Sequence, residues 1–223
     1  MTRTILAAGQ PLSLWPEKAA FLGASRTLLI ADAHIGKAVS FRALGVPVPR
    51  GTTSETLAAL TALVARTGAR RVIFLGDFLH SARAHAATTI AAVVAWRDAH
   101  ADLDLVLVRG NHDDRAGDPP SRLDMRVVDE PLLEGGFALC HHPRRIPGAY
   151  VLAGHLHPCV RVGRAWDRLR LPCFWFGDDV GVLPAFGAFT GTYAIRPAPN
   201  DRVYAIADAS VAVLPSFAER FAA

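Results

Sequence analysis

Short apolar runs, each closed by polar or small residues, set the rhythm of the chain. Residues 28–31, 72–75, 105–108, 137–140 and 151–153 are such runs and predict buried strands. Between the first two, residues 52–68 predict a helix. Thr52 and Glu55 have capping-box spacing, Leu57, Leu60 and Val64 recur on one face, and Gly68 stands where a C-terminal cap belongs. Residues 86–99, with Ile90, Val93, Val94 and Trp96, predict a second helix between the second and third runs. Alternating strands and helices predict parallel pairing through crossover connections. Gly135-Gly136, between Leu132-Leu133 and Phe137, predicts a hairpin turn. After His157 the pattern changes: residues 169–176, 183–190 and 203–214 are β-rich and carry no helical period. They predict a second, largely antiparallel sheet packed on the first. The fold class is therefore α/β, a four-layer-type sandwich of two mixed sheets flanked by helices. No repeat or linker divides the chain, so residues 1–223 read as one domain.

Composition narrows the class. Hydrophobic residues make up 51% and charged ones 20%, which excludes disorder. No apolar run approaches the roughly 18 residues of a membrane span, and the apolar stretch after Met1 is too short for a signal peptide. Cys140, Cys159 and Cys173 are odd in number and lack CxxC spacing, so a disulfide scaffold is not expected. A cytoplasmic protein with reduced thiols is. The 24 basic and 20 acidic residues give +4, and only Lys18 and Lys37 among the basic ones are lysines. Residues 144–170 hold six arginines (144, 145, 161, 164, 168 and 170) against Asp167 alone. That excess suits an anionic partner if the arginines share a face.

The polar residues that close the strands carry the chemistry. The first run is followed by Asp32 and His34, the second by Asp77, and the third leads into Asn111, His112 and Asp113. The fourth is followed by His141-His142 and the fifth by His155 and His157. Alone, an aspartate after a strand is a turn residue or helix cap, and a lone histidine is usually surface or core. Their recurrence at successive strand ends, where ligand sites form in open α/β sheets, points to one rim. Carboxylate, imidazole and amide oxygen together suit divalent metals, and one carboxylate can bridge two ions. In extended segments Asp32 and His34, like His155 and His157, would each point to one side.

Asp32-x-His34, Gly76-Asp77, Gly110-Asn-His-Asp113, His141 and Gly154-His155-x-His157 resemble the signature blocks of the calcineurin-like metallophosphoesterases. A narrower resemblance, to ligase-associated DNA-repair metallophosphoesterases (PdeM-like), rests on Ala31-Asp-Ala-His-Ile-Gly-Lys37 and Gly76-Asp-Phe-Leu-His-Ser81. It continues in Leu171-Pro-Cys-Phe-Trp-Phe176 and Leu183-Pro-Ala-Phe-Gly-Ala-Phe-Thr-Gly191. The resemblance implies that Asp32, His34 and His157 hold one metal, that Asn111, His141 and His155 hold the other, and that Asp77 bridges. In the family the ligand directly follows the apolar strand, which implies His141; a role for His142 stays open. His112 would donate a proton to the leaving oxygen or stabilise the transition state, with Asp113 orienting its imidazole.

The resemblance also implies a reaction: attack on a phosphodiester by a hydroxide bridging two divalent ions, manganese first, zinc or iron as alternatives. The implied substrate is single-stranded or nicked DNA, cut as an endonuclease in repair, with a repair ligase, helicase or exonuclease as partner. Lys37, His80, Arg83 and Arg115 are substrate-binding candidates or solvated surface charge. Trp166, Trp175 and Phe176 are candidates for base stacking or core. Cys140 and Cys159 neighbour ligands, but no redox role is expected of either. Two other functions remain open: a small-molecule phosphodiesterase or pyrophosphatase, and a non-catalytic scaffold of the same fold.

Overall fold

The computed structural model describes residues 1–49, 51–163 and 169–215. The first sheet runs in chain order through β1 (Arg3–Ala7), β2 (Gln10–Trp15), β3 (Ala19–Leu22), β4 (Thr27–Ile30), β5 (Arg71–Leu75), β6 (Asp104–Val108) and β7 (Met125–Val128). Strands β1 to β4 pair antiparallel and β4 to β7 parallel. The parallel half is built as the apolar runs predict, with crossovers through α2 (Thr52–Thr67) and α3 (Ala87–Ala99); α1 (Lys37–Ala43) precedes α2 and α4 (Asn111–Ala116) follows β6.

Period-two alternation divides the parallel strands between two cores. Leu28, Ile30, Val72, Phe74, Leu105 and Leu107 face Leu57, Leu60 and Leu63 of α2 and Val93 and Trp96 of α3. Leu29, Ile73, Leu75, Val106 and Val108 face the other way, onto Phe137, Leu139, Leu152, Phe174 and Phe176 of the second sheet. That sheet contains β8 (Leu132–Glu134), β9 (Phe137–Leu139), β10 (Tyr150–Ala153), β11 (Pro158–Val162), β12 (Leu169–Phe176), β13 (Val180–Val182), β14 (Tyr193–Ala194), β15 (Arg202–Ala207) and β16 (Ser210–Val213). Strand β10 runs parallel to β9 and β13, while β12 is antiparallel to β11, β13 and β15, so both sheets are mixed. No helix among the described residues is long and apolar enough to cross a membrane.

Three expectations are corrected and one element is new. The second sheet begins at β8, before the last two ligand-bearing strands, so the rim joins the ends of two sheets. Residues 183–190 form no strand: the backbone N–H groups of Leu183, Phe186 and Gly187 donate to Ala153, Ala31 and Asp32, tying a buried loop across both sheets. Helix α2 has Gly51 as its N-cap and no side-chain cap; Leu63, rather than Val64, is fully buried, and Gly68 does end the helix in the left-handed conformation. The meander β1–β3 is absent from the sequence reading because Gly9, Pro11 and Pro16 break its apolar alternation.

Candidate metal centre

The loops after β4 and β5 are zipped together: His34 N–H donates to Asp77 O at 2.9 Å and Ile35 N–H to Phe78 O at 2.8 Å. This pairing is not extended backbone. Asp32, His34, Asp77, His155 and His157 have φ of 52°, 46°, 52°, 69° and 50°. The shared direction of each i, i+2 pair therefore comes from paired left-handed residues, correcting the expected extended geometry. Such conformations cost about 1 kcal/mol or more each and persist where surrounding bonds over-determine them. Close approach fixes two glycines as well. A Cβ on Gly76 would lie 2.2 Å from His141 Nδ1, and one on Gly154 2.6 Å from Asp32 Oδ2.

The resulting geometry centres on Asp77. Its Oδ2 lies 3.7 Å from His34 Nε2, which is 3.2 Å from His157 Nε2, and His157 Nε2 is 3.4 Å from Asp32 Oδ1. Its Oδ1 lies 3.4 Å from His141 Nε2, which is 3.0 Å from both Asn111 Oδ1 and His155 Nδ1. One oxygen of a single buried carboxylate thus faces each of two donor sets. Donors that share one ion at about 2.1 Å stand roughly 3.0–3.4 Å apart in tetrahedral or octahedral arrangement, close to these separations.

The electrostatics fit the same occupant. His157 Nδ1 donates to Gly191 O at 3.1 Å and His141 Nδ1 to Leu75 O at 3.0 Å, so both turn an Nε2 lone pair inward. Burial holds the imidazoles of His34, His141 and His155 below their ordinary range, which keeps them neutral. His157 is the exception: burial lowers its pKa, but its bond to Asp32 and the charge of that carboxylate outweigh this and raise it; a divalent cation would take the place of protons shared among these nitrogens and oxygens. Burial also pushes the Asp77 carboxyl up, opposed by the His112 N–H bond to Oδ1 and reinforced by Asp32.

His112 borders the His34 set: its Nε2 lies 4.0 Å from Asp77 Oδ2 and its ring meets that of His34 edge-on at 5.0 Å. Its imidazole is oriented by a 2.6 Å bond from Nδ1 to His80 O, not by Asp113 as expected. At the start of α4, Asp113 folds back to accept from Gly110 N–H and Leu79 N–H, each at 3.0 Å, and so shapes the loop instead. The His80 ring stacks on His112 at 4.8 Å, and Lys37 is close enough to Asp32 and Asp77 for their charges to oppose the lowering of its pKa by burial. Arg83 lies on the 3-10 turn Ala82–His85 and Arg115 on α4; both are outside the donor sets.

Sequence reasoning missed Glu130. Its Oε2 accepts the backbone N–H groups of His141 and His142 at 2.7 and 2.9 Å, and its Oε1 binds His142 Nδ1 at 3.0 Å. His142 Nδ1 is thereby bound to Glu130 and fully buried His141 joins the donors, while His142 stays close enough to His141 and His155 to join them. An acid eleven positions before its target, outside any strand, gives no periodic signal. Among the described residues of the arginine run, Arg144 pairs with Glu130 and Arg145 with Asp179, while Arg161 and Arg170 are cross-strand neighbours on β11 and β12. Arg164, Trp166, Asp167 and Arg168 lie outside the described residues. Phe176 is buried between the sheets, which removes it as a stacking candidate, and Trp175 donates its indole N–H to Asp201. Cys140 is buried, which pushes its thiol up to about 11.

No protein-family model and no curated protein matches the chain. Among solved structures, the nuclease MPE of Pseudomonas putida is similar to it at 46% identity, over 96% of this chain and 100% of that one, with a TM-score of 0.86. The chain belongs to the calcineurin-like metallophosphoesterases. The E. coli phosphoesterase Yfce aligns at 18% identity over 84% of this metallophosphoesterase and 97% of that chain, with a TM-score of 0.41, too loosely to carry an argument. Family membership makes the protein a metal-dependent phosphoesterase and makes divalent ions the fitting occupants of the two donor sets.

Proposed function

We propose that this metallophosphoesterase is an endonuclease that hydrolyses phosphodiester bonds of single-stranded or nicked DNA with two divalent ions. The observation that carries the reading is Asp77, with one carboxylate oxygen toward each donor set and His112 beside the His34 set. The 46% identity to a protein described as a nuclease supports a nucleic-acid substrate. Asp32, His34 and His157 would hold one ion, Asn111, His141 and His155 the other, and Asp77 both. When bound, the ions supply Lewis acidity that neutralises phosphoryl charge and acidifies water.

The chain's own residues supply the rest. His80 O holds the His112 Nδ1 proton, so it is the imidazolium form that carries a second proton on Nε2 to give to the departing oxygen, leaving a neutral ring behind. Lys37, beside Asp32 and Asp77, adds positive charge where a phosphate would lie. Manganese, with zinc or iron as alternatives, follows from the motif resemblance; the mixed oxygen and nitrogen donors accept any of the three. A repair role in the cytoplasm, with a ligase, helicase or exonuclease partner, rests on the motif resemblance.

The test is turnover of purified protein on single- and double-stranded DNA, a generic phosphodiester and a phosphomonoester, with Mn²⁺, Zn²⁺, Fe²⁺ and Mg²⁺ in turn. The expected result is cleavage of single-stranded DNA with Mn²⁺ and none after chelation. Full activity after complete metal removal, or turnover of the monoester alone, contradicts the reading.

A further inference from the structure

A row of aromatic rings leaves the metal centre on the His112 side. His112 stacks on His80 with centroids 4.8 Å apart and planes at 22°. His80 lies 5.9 Å from Phe41 of α1, and Phe41 meets Phe189 edge-on at 5.7 Å. Lys37 Nζ stands 5.8 Å from the Phe41 centroid and 6.0 Å from that of Phe189. Neither phenylalanine belongs to the apolar clusters of the described residues, and both are only half-buried. Two large aromatic side chains thus face solvent beside a candidate phosphate site without serving the core.

Their supports are rigid. Ser40 Oγ bonds Ser81 Oγ at 2.8 Å, and Gly36 at the start of α1 packs so closely on Ala84 that a Cβ would lie 2.6 Å from that methyl. The loop bearing Phe189 is held by Gly187 N–H to Asp32 O at 3.2 Å and by Ala188 N–H to Thr56 Oγ1 at 3.2 Å. Lys18 Nζ donates to Gly187 O at 3.3 Å. The rings are therefore placed by the same backbone that places Asp32, which gives them a fixed relation to the donor sets.

The geometry points to Phe41 and Phe189 as a stacking platform for an unpaired nucleobase on the leaving-group side of the scissile phosphate, with Lys37 holding the adjoining backbone phosphate. This rests on the nuclease reading and adds the device that recognises the strand. Every base has a π-face, so stacking tolerates any sequence, whereas a base inside a duplex already has both faces covered. The leaving-group side follows from the origin of the row at His112, the residue placed to protonate the departing oxygen.

The test is binding of metal-free protein to a single-stranded oligonucleotide carrying 2-aminopurine, and to the same strand made abasic at the probed positions. Wild type should quench the probe and bind the base-bearing strand about tenfold or more tighter than the abasic one. Phe41→Ala with Phe189→Ala should erase that preference, and Phe41→Trp, which keeps a π-face, should retain it. Equal affinity of wild type for both strands, or an unaltered preference in the double variant, overturns the platform; Mn²⁺-dependent DNA cleavage by the wild type would then show that the nuclease reading survives. Failure of the wild type to cut any nucleic acid overturns both.

Discussion

The two donor sets that meet at Asp77 are equally well supplied with imidazoles but differ in what surrounds them. The His141 set is backed by an acid: Glu130 grips the His141 and His142 backbone, and Leu75 O fixes the buried ring. The His34 set is backed by main chain, through His34 N–H to Asp77 O and His157 Nδ1 to Gly191 O, and is bordered by His80, Lys37 and the two phenylalanines. One side is braced from behind by a carboxylate. The other is bordered by a lysine, an imidazole and the two rings of the proposed base platform.

Three substitutions grade that contrast. Asp77→Ala removes the one residue common to both sides and should lower turnover by at least about a thousandfold, with metal content falling in both sets; retention of one tightly held ion would show that the sets are independent. His112→Ala should cost about 10²–10⁴ in kcat with metal stoichiometry intact, measured by turnover beside elemental analysis. Glu130→Gln touches only the His141 side and should weaken one of the two ions by about 10–100-fold. Calorimetric titration showing both ions weakened equally would erase the distinction between the sides.

The smallest effect concerns stability. Burial lowers the Lys18 pKa to about 8 from the model-compound value of 10.5, with Glu55 opposing. The unfolded chain then holds more protons than the folded one above pH 8, so stability contributed at this position rises with pH. Between pH 7 and 9 wild type should gain about 1 kcal/mol relative to Lys18→Met, read from denaturant midpoints at each pH. A flat difference across that range would mean that Lys18 is not held in the pocket beneath Gly187.

Much of the donor set was legible because the fold places it at strand ends. Apolar runs such as residues 72–75 and 105–108 stop abruptly at Asp77 and before Asn111, and the alternation within them needs two covered faces. Local chemistry that depends on contacts across the molecule was not legible. Residues 183–190 look like a strand because they are apolar, yet their backbone satisfies itself on Ala31, Asp32 and Ala153 rather than in a ladder. The left-handed turns at Asp32, His34, His155 and His157 are imposed by closure of one loop upon another. Asp113 and Glu130 exchanged importance for a related reason: a carboxylate's nearest backbone N–H groups, invisible in sequence, decide what it holds.

The central claim is that Asp77 joins two ions. Anomalous diffraction from crystals grown with Mn²⁺ tests it directly. The account predicts two peaks, one beside each Asp77 oxygen, the first also within bonding distance of His34 and His157 and the second of His141 and His155. A single peak, or peaks only at exposed acids away from Asp77, would contradict it.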